Sequence, residues 1–338
     1  MDSSVVPTEY SAFRVAVDGE RVTRSVQTMA SSSLPVGEVT IRVEYSALNY
    51  KDALSATGNR GVTRTYPHTP GIDAAGTVLT STDPRFAAGA PVICTGFELG
   101  MSVAGGFAQL IRVPADWLVA LPDGLTTRSA MILGTAGITA ALSVERLHSV
   151  SAGPDLGPFA VTGASGGVGS IATALLHRAG YTVVASTGKV HAHDFLTRLG
   201  AAKVIAREEL SRPSDKQLQR AVYGGAIDSV GGRTLVNLVN STVPGGAVAA
   251  CGLVSGVDLP ANIYPFILRG VALLGVDSQH VELADRVRLW GELARAWVDG
   301  AFEPLSAHVT EVGLAGVDAM VGEILAGNVM GRVVVRID

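Results

Sequence analysis

One segment constrains this chain more than any other: Val161-Thr-Gly-Ala-Ser-Gly-Gly-Val-Gly-Ser170. It follows the apolar run Phe159-Ala-Val161 and opens an apolar-periodic run that stops at Gly180, so it reads as strand, turn and helix. Gly163, Gly166, Gly167 and Gly169 would weaken an ordinary helix start without compensation. They make sense where backbone N–H groups at a helix N-terminus approach a pyrophosphate and side chains would block it. Ala164 stands where the first fingerprint glycine is usual, while Gly166 and Gly169 keep the other two.

The flanking sequence gives such a turn its context. Helices are predicted over 129–147 and 167–179, followed by strand-like runs at 181–186, 203–206, 226–230, 246–251 and 271–276. Helical runs at 192–199 and 235–240 separate them, which argues for βαβ units on a parallel sheet. The first third reads differently. Short strands at 38–45, 72–80, 91–95 and 107–113 are punctuated by Gly and Pro, as in an irregular antiparallel barrel. A short helix is predicted over 51–56, a long amphipathic one over 281–298, and a helix and last strand over 317–326 and 331–336. The class is α/β.

Hydrophobic residues make up 47% of the 338 and charged residues 17%, so buried cores are affordable and disorder is excluded. A net charge of −4 offers no basic field for nucleic acid or an anionic membrane. Met1-Asp-Ser-Ser4 lacks a basic start and apolar run, so no secretory leader is expected. The longest uncharged stretch, 234–257, is broken by Asn240, Pro244, Gly245 and Gly246, which argues against a membrane span. Two cysteines, Cys94 and Cys251, are too few for a disulfide framework or zinc cluster and read as reduced, buried thiols of a cytoplasmic protein.

Nucleotide choice is read at the end of the strand after the turn. An NAD site places Asp or Glu there to bond the ribose hydroxyls. This chain has Ser186-Thr-Gly-Lys189, with no carboxylate until Asp194, so NADPH is expected rather than NADH.

The chain resembles the medium-chain dehydrogenase/reductase superfamily, in its zinc-free quinone oxidoreductase-like branch, and is most similar there to the NADPH-dependent acrylyl-CoA reductases. The resemblance rests on Tyr45-Ser-Ala-Leu-Asn-Tyr-Lys-Asp-Ala53, Pro70-Gly-Ile-Asp-Ala-Ala-Gly76, Val161 to Ser170, Ala250-Cys-Gly-Leu253, Pro265-Phe-Ile-Leu-Arg269 and Gly275-Val-Asp-Ser278. It implies a GroES-like catalytic domain over 1–128, completed by the tail 282–338, and a Rossmann NADP-binding domain over 129–281. It also implies site residues. Tyr50 would lie near the nicotinamide, and Ser165, Gly166, Gly167 and Val168 on the pyrophosphate. Thr187, Gly188 and Lys189 would meet the 2′-phosphate, as would Lys203, which stands in for a family Arg. Leu253, Ile267 and Ser278 would line the nicotinamide and ribose, and Asn328 would close the site. Relatives of this kind commonly pair as homodimers through the edge of the nucleotide domain.

The segment that carries Gly-His-Glu in zinc alcohol dehydrogenases is here Gly71-Ile-Asp73, and no metal is expected. His68, in a Tyr-Pro-His-Thr-Pro turn, reads as a surface residue rather than a zinc ligand. Without a Lewis acid, hydride addition to a conjugated C=C or quinone is easier than alcohol oxidation. The expected reaction is the reduction of a short α,β-unsaturated acyl-CoA, acryloyl-CoA to propionyl-CoA. Asn49 would donate its amide to the thioester oxygen, Tyr50 would position the nicotinamide or relay the proton, and Asp52 would cap its helix. Arg60 and Arg64 would meet the CoA phosphates. The competing readings are a quinone or enal reductase, and a non-catalytic NADPH-binding protein.

Overall fold

The computed structural model describes residues 5–214 and 216–338; residues 1–4, on which the leader expectation rests, and Asp215 lie outside the described residues. The chain divides into two compact units. One comprises Met1–Thr135, Gln279–Arg295 and Val309–Asp338, the other Ala136–Ser278 and Ala296–His308.

In the first unit a two-stranded hairpin, β1 (Glu9–Asp18) and β2 (Arg21–Ala30), precedes β3 (Val39–Leu48) and the short helix α1 (Tyr50–Ala56). Strands β4 (Asp73–Ser81), β5 (Pro91–Thr95), β6 (Leu110–Val113) and β7 (Leu118–Ala120) follow, and α2 (Thr127–Ser149) leaves the unit. β3 buries Val39, Ile41 and Val43 as expected, but the alternation is incomplete: Arg42 is exposed, Thr40 is 2% exposed and Tyr45 is half-buried. Its sheet is closed by strands from the far end of the chain. The order is β14-β15-β3-β4-β5-β7 with β6 also on β3, where β14 is Val309–Gly313 and β15 is Arg332–Arg336.

The second unit holds a parallel sheet of β8 (Phe159–Val161), β9 (Val183–Thr187), β10 (Ala201–Ala206), β11 (Tyr223–Asp228), β12 (Thr242–Ala250) and β13 (Ala272–Gly275). The order β10-β9-β8-β11-β12-β13 starts at its middle and winds outward both ways, the doubly wound arrangement of dinucleotide folds. Helix α3 (Gly167–Arg178) follows β8, as the glycine-rich turn predicts.

The first crossing between the units lies inside α2 after Thr135, next to Gly134 (φ 52°, ψ −152°), where the helix leaves helical geometry. Residues 296–308 belong to the second unit, where Asp299 pairs with Arg178 and the His308 ring lies 4.3 Å from that of Phe195. By length and composition alone α2 is apolar enough to span a bilayer, but 83% of that window is buried in the fold.

Candidate active site

In the second unit the β8–α3 turn is built from backbone. Gly163 adopts φ 55°, and a Cβ on Gly169 would lie 2.4 Å from the Gly163 carbonyl oxygen, so strand end and first helical turn touch main chain to main chain. The N-cap, Gly166, offers no side-chain oxygen to the first-turn N–H groups. Open N–H groups on a side-chain-free cradle suit a pyrophosphate. Ser165, Gly166, Gly167 and Val168 all stand on this turn, and Ser165 Oγ shares a 2.8 Å hydrogen bond with Thr187 Oγ1 at the end of β9.

Asp228, unnoticed in the sequence, braces the cradle from the end of β11. It accepts hydrogen bonds from Thr162 Oγ1 and the Gly231 N–H, both at 2.7 Å, and Thr162 Oγ1 in turn accepts the Ser229 N–H. Burial raises its carboxyl above the usual range against the pull of those bonds. A strand ending in a buried Asp after an apolar run was the available signal.

Beyond Thr187, a Cβ on the exposed Gly188 would lie 2.9 Å from Cδ and Nε of Arg207. Partial burial, and then the Arg207 charge, lower the Lys189 ammonium below its ordinary value. Two cations flank one glycine at this edge, although Arg207 also meets Glu208 at 3.2 Å.

Lys203 is not among them. It pairs with Val184, three residues short of Thr187, whereas Ala206 pairs with Thr187 and the Arg207 N–H donates to the Thr187 carbonyl. At about 3.3 Å per residue, Lys203 sits about 10 Å below the strand end. Arg207, rather than Lys203, stands at the strand end beside Thr187. Matching by residue type alone had missed it, and the strand register supplies it.

Leu253 and Ile267 are 52% and 65% exposed, unusual for apolar side chains of this size. Ser278 Oγ accepts the Thr139 hydroxyl at 2.8 Å. Asn328, in the first unit, is exposed and donates to Glu323 of the preceding helix at 3.1 Å.

In the first unit the N-terminal turn of α1 sits on a buried polar network. Asp52 accepts the Asn49 N–H at 2.8 Å, the capping role read from the sequence, and its other oxygen accepts Gly71 and Ile72 N–H at 3.0 and 2.8 Å. Burial pushes its carboxyl up to about 7, with the nearby Asp73 adding to the rise and the Asn49 and Ile72 bonds opposing it. Asp73 takes hydrogen bonds from the Thr135 hydroxyl and N–H and from Asn49 Nδ2; burial raises it too. Arg332 of β15, 4% exposed, donates Nε to the Ile132 carbonyl at 2.8 Å and Nη1 to Asn49 Oδ1 at 3.2 Å.

This network changes the reading of Asn49. Its amide hydrogens lie 2.8 Å from Asp73 Oδ2 and 3.1 Å from Asp52 Oδ2 when measured from Nδ2, so they are engaged inside the protein rather than offered to a substrate. Tyr50 is half-buried, and among the described residues its phenol has no hydrogen-bond partner.

The same donors do not fit zinc. Asp73 faces N–H and O–H groups, and among the described residues no three His, Cys, Asp or Glu side chains come together as a ligand set. His68 is not a surface residue either. It is 6% exposed because its backbone bridges to Val15 on β1 through two 2.8 Å bonds, which draws the ring inward; burial lowers its imidazole. Arg60 and Arg64 are exposed, with the Arg60 guanidinium 5.2 Å over the Tyr66 ring and bonded to the Arg64 carbonyl.

Residues 35–123 match the family model for the alcohol dehydrogenase GroES-like domain, and residues 167–289 that for the zinc-binding dehydrogenase. A GroES-like unit joined to a Rossmann-type sheet defines the class: the chain belongs to the medium-chain dehydrogenase/reductase family and is an oxidoreductase. Its likeness within that class is to one branch. It is 45% identical over 314 residues to the acrylyl-CoA reductase AcuI of Ruegeria pomeroyi, covering 93% of this chain and 94% of that one. It is similar to the YhdH oxidoreductase of Salmonella enterica in complex with NADP, at a TM-score of 0.92 and 43% identity over 97% of this chain and all of that one. It is also similar to YhfP of Bacillus subtilis with NAD bound, at 0.91 and 43% over 98% and 100%.

Proposed function

We propose that this protein reduces the C=C bond of a short α,β-unsaturated acyl-CoA, acryloyl-CoA to propionyl-CoA, with NADPH and without a metal. The observation that carries the cofactor choice is the pair of cations, Lys189 and Arg207, about Gly188 at the end of a strand that lacks the ribose-binding acid. A 2′-phosphate bonded by both would gain charge-assisted hydrogen bonds that a bare ribose cannot make. When bound, NADPH supplies a hydride from its nicotinamide ring. Ser165 to Val168 hold the pyrophosphate, Leu253 and Ile267 give apolar cover, and Ser278 meets the ribose. Likeness to an acrylyl-CoA reductase supports the acyl-CoA substrate.

The chain's own residues then have distinct tasks. Tyr50, with a phenol that has no partner among the described residues, delivers the proton to Cα. Asn49 keeps a positioning role, tying α1 to Asp73 and Arg332. Arg60 and Arg64 meet the CoA phosphates, so R60A and R64A should raise KM for the thioester and leave kcat nearly unchanged. Steady-state NADPH oxidation with acryloyl-CoA, 1,4-benzoquinone and acrolein tests the whole reading, with propionyl-CoA identified by mass. A preference of about tenfold for the quinone, 1.4 kcal/mol in the barrier, overturns it in favour of a quinone reductase.

A further inference from the structure

Lys51 stands beside Tyr50 in the first turn of α1, half-buried. An ammonium carries three hydrogens. Among the described residues this one donates a single hydrogen bond, to Gln279 Oε1 at 2.9 Å, and has no carboxylate within ion-pair distance. Gln279 is a fixed arm. Its carbonyl oxygen accepts the Phe97 N–H and Arg286 Nη2, both at 3.1 Å, and its Nε2 donates to Glu98 at 3.3 Å. Arg286, 1% exposed, is anchored in turn by the Thr95 carbonyl at 2.7 Å and by the Phe97 ring, 4.4 Å from its Cζ.

A cation with uncommitted hydrogens on a rigid support is already organised to meet a developing negative charge, which is what this kind of catalysis requires. Asn49 cannot supply that donor, since its own hydrogens are taken.

We infer that Lys51 is a catalytic residue that holds the thioester oxygen of the substrate while charge gathers on it. The inference rests on the reduction proposed above. As a hydride adds to Cβ, the C=C pair moves to join Cα to the thioester carbon, and the carbonyl pair moves onto oxygen, against the ammonium. Cα then takes the Tyr50 phenol proton, the carbonyl re-forms, and water returns a proton to the phenolate. The thioester gains two electrons and the dinucleotide loses them, with one net proton drawn from solvent.

The test compares the unaltered enzyme with K51M and K51R in two measurements. In turnover with NADPH and acryloyl-CoA, K51M should lose about a hundredfold in kcat, the usual cost of one oxyanion donor, with NADPH affinity and thermal midpoint unchanged. K51R keeps the charge and should recover about a tenth of the lost rate, since its geometry differs. The second measurement needs no cofactor. Acetoacetyl-CoA shows an ultraviolet enolate band, which should grow on mixing with the unaltered enzyme and K51R but not with K51M. Turnover of K51M within about threefold of the unaltered enzyme, or an enolate band that ignores the substitution, overturns the assignment of Lys51. Failure of the unaltered enzyme to reduce acryloyl-CoA instead overturns the substrate reading itself.

Discussion

At Gly134 the backbone leaves helical geometry, and a Cβ would come within 2.5 Å of Asp73 Oδ2. Gly134→Ala should therefore cost about 2 kcal/mol or more, from left-handed strain and crowding together, read as a lower urea midpoint. His68 sets a pH dependence. Its imidazole is lowered by burial in the fold, so the unfolded chain binds the proton more readily. The stability it contributes is complete above about 6.5 and is lost as the pH falls below that value toward the folded-state pKa. H68Q should flatten this acid-side decline relative to the unaltered protein in denaturant titrations between pH 7 and about 5. Asp52 acts in the opposite sense. Its carboxyl, raised to about 7, contributes stability that is complete below about 4 and is lost as the pH climbs to 7, so only the difference between variant and parent isolates His68. Asp52 was legible as a helix cap, whereas the burial of His68 was not. A histidine between two prolines reads as a loop residue, and only the backbone bridge to Val15 explains its burial.

Elements whose side chains carry a period were legible, and those defined by pairing were not. The β8 strand, its glycine turn and α3 follow the sequence reading nearly residue for residue, because phosphate-type turns demand small residues at fixed places. The β1–β2 hairpin is absent from the sequence reading, although its two-residue loop, Gly19-Glu20, opens on a glycine at φ 58°, which is a hairpin signal. Register was the invisible quantity. Lys203 and Arg207 are both basic and four residues apart, and nothing local says which reaches the strand end. R207A should weaken NADPH binding about tenfold or more, as loss of a charge-assisted bond implies, with NADH affinity unchanged. K203A should alter neither. Fluorescence titration of both dinucleotides decides between them.

On the scale of the whole molecule, β15 is the central fact of the first unit. It lies between β14 and β3, and its Arg332 reaches the network beneath α1. Removing residues 332–338 should abolish the unfolding transition of the first unit in calorimetry while that of the second survives, since unpairing a buried charge network alone costs about 3–5 kcal/mol. The tail was recognisable in sequence as a last strand, but its docking partner was not, because periodicity reports a strand's faces and says nothing of its neighbours.

That placement also reverses the usual order of birth. The nucleotide-binding unit is nearly continuous in sequence and emerges from the ribosome ready to close on itself. The unit begun first waits for residues made long after its own first segment. With about 290 residues between Leu48 and Arg336, translation leaves β3 without this neighbour for roughly 15–60 s. During that interval a bare strand edge is open to pairing with other nascent chains, a hazard that ends only when β15 arrives.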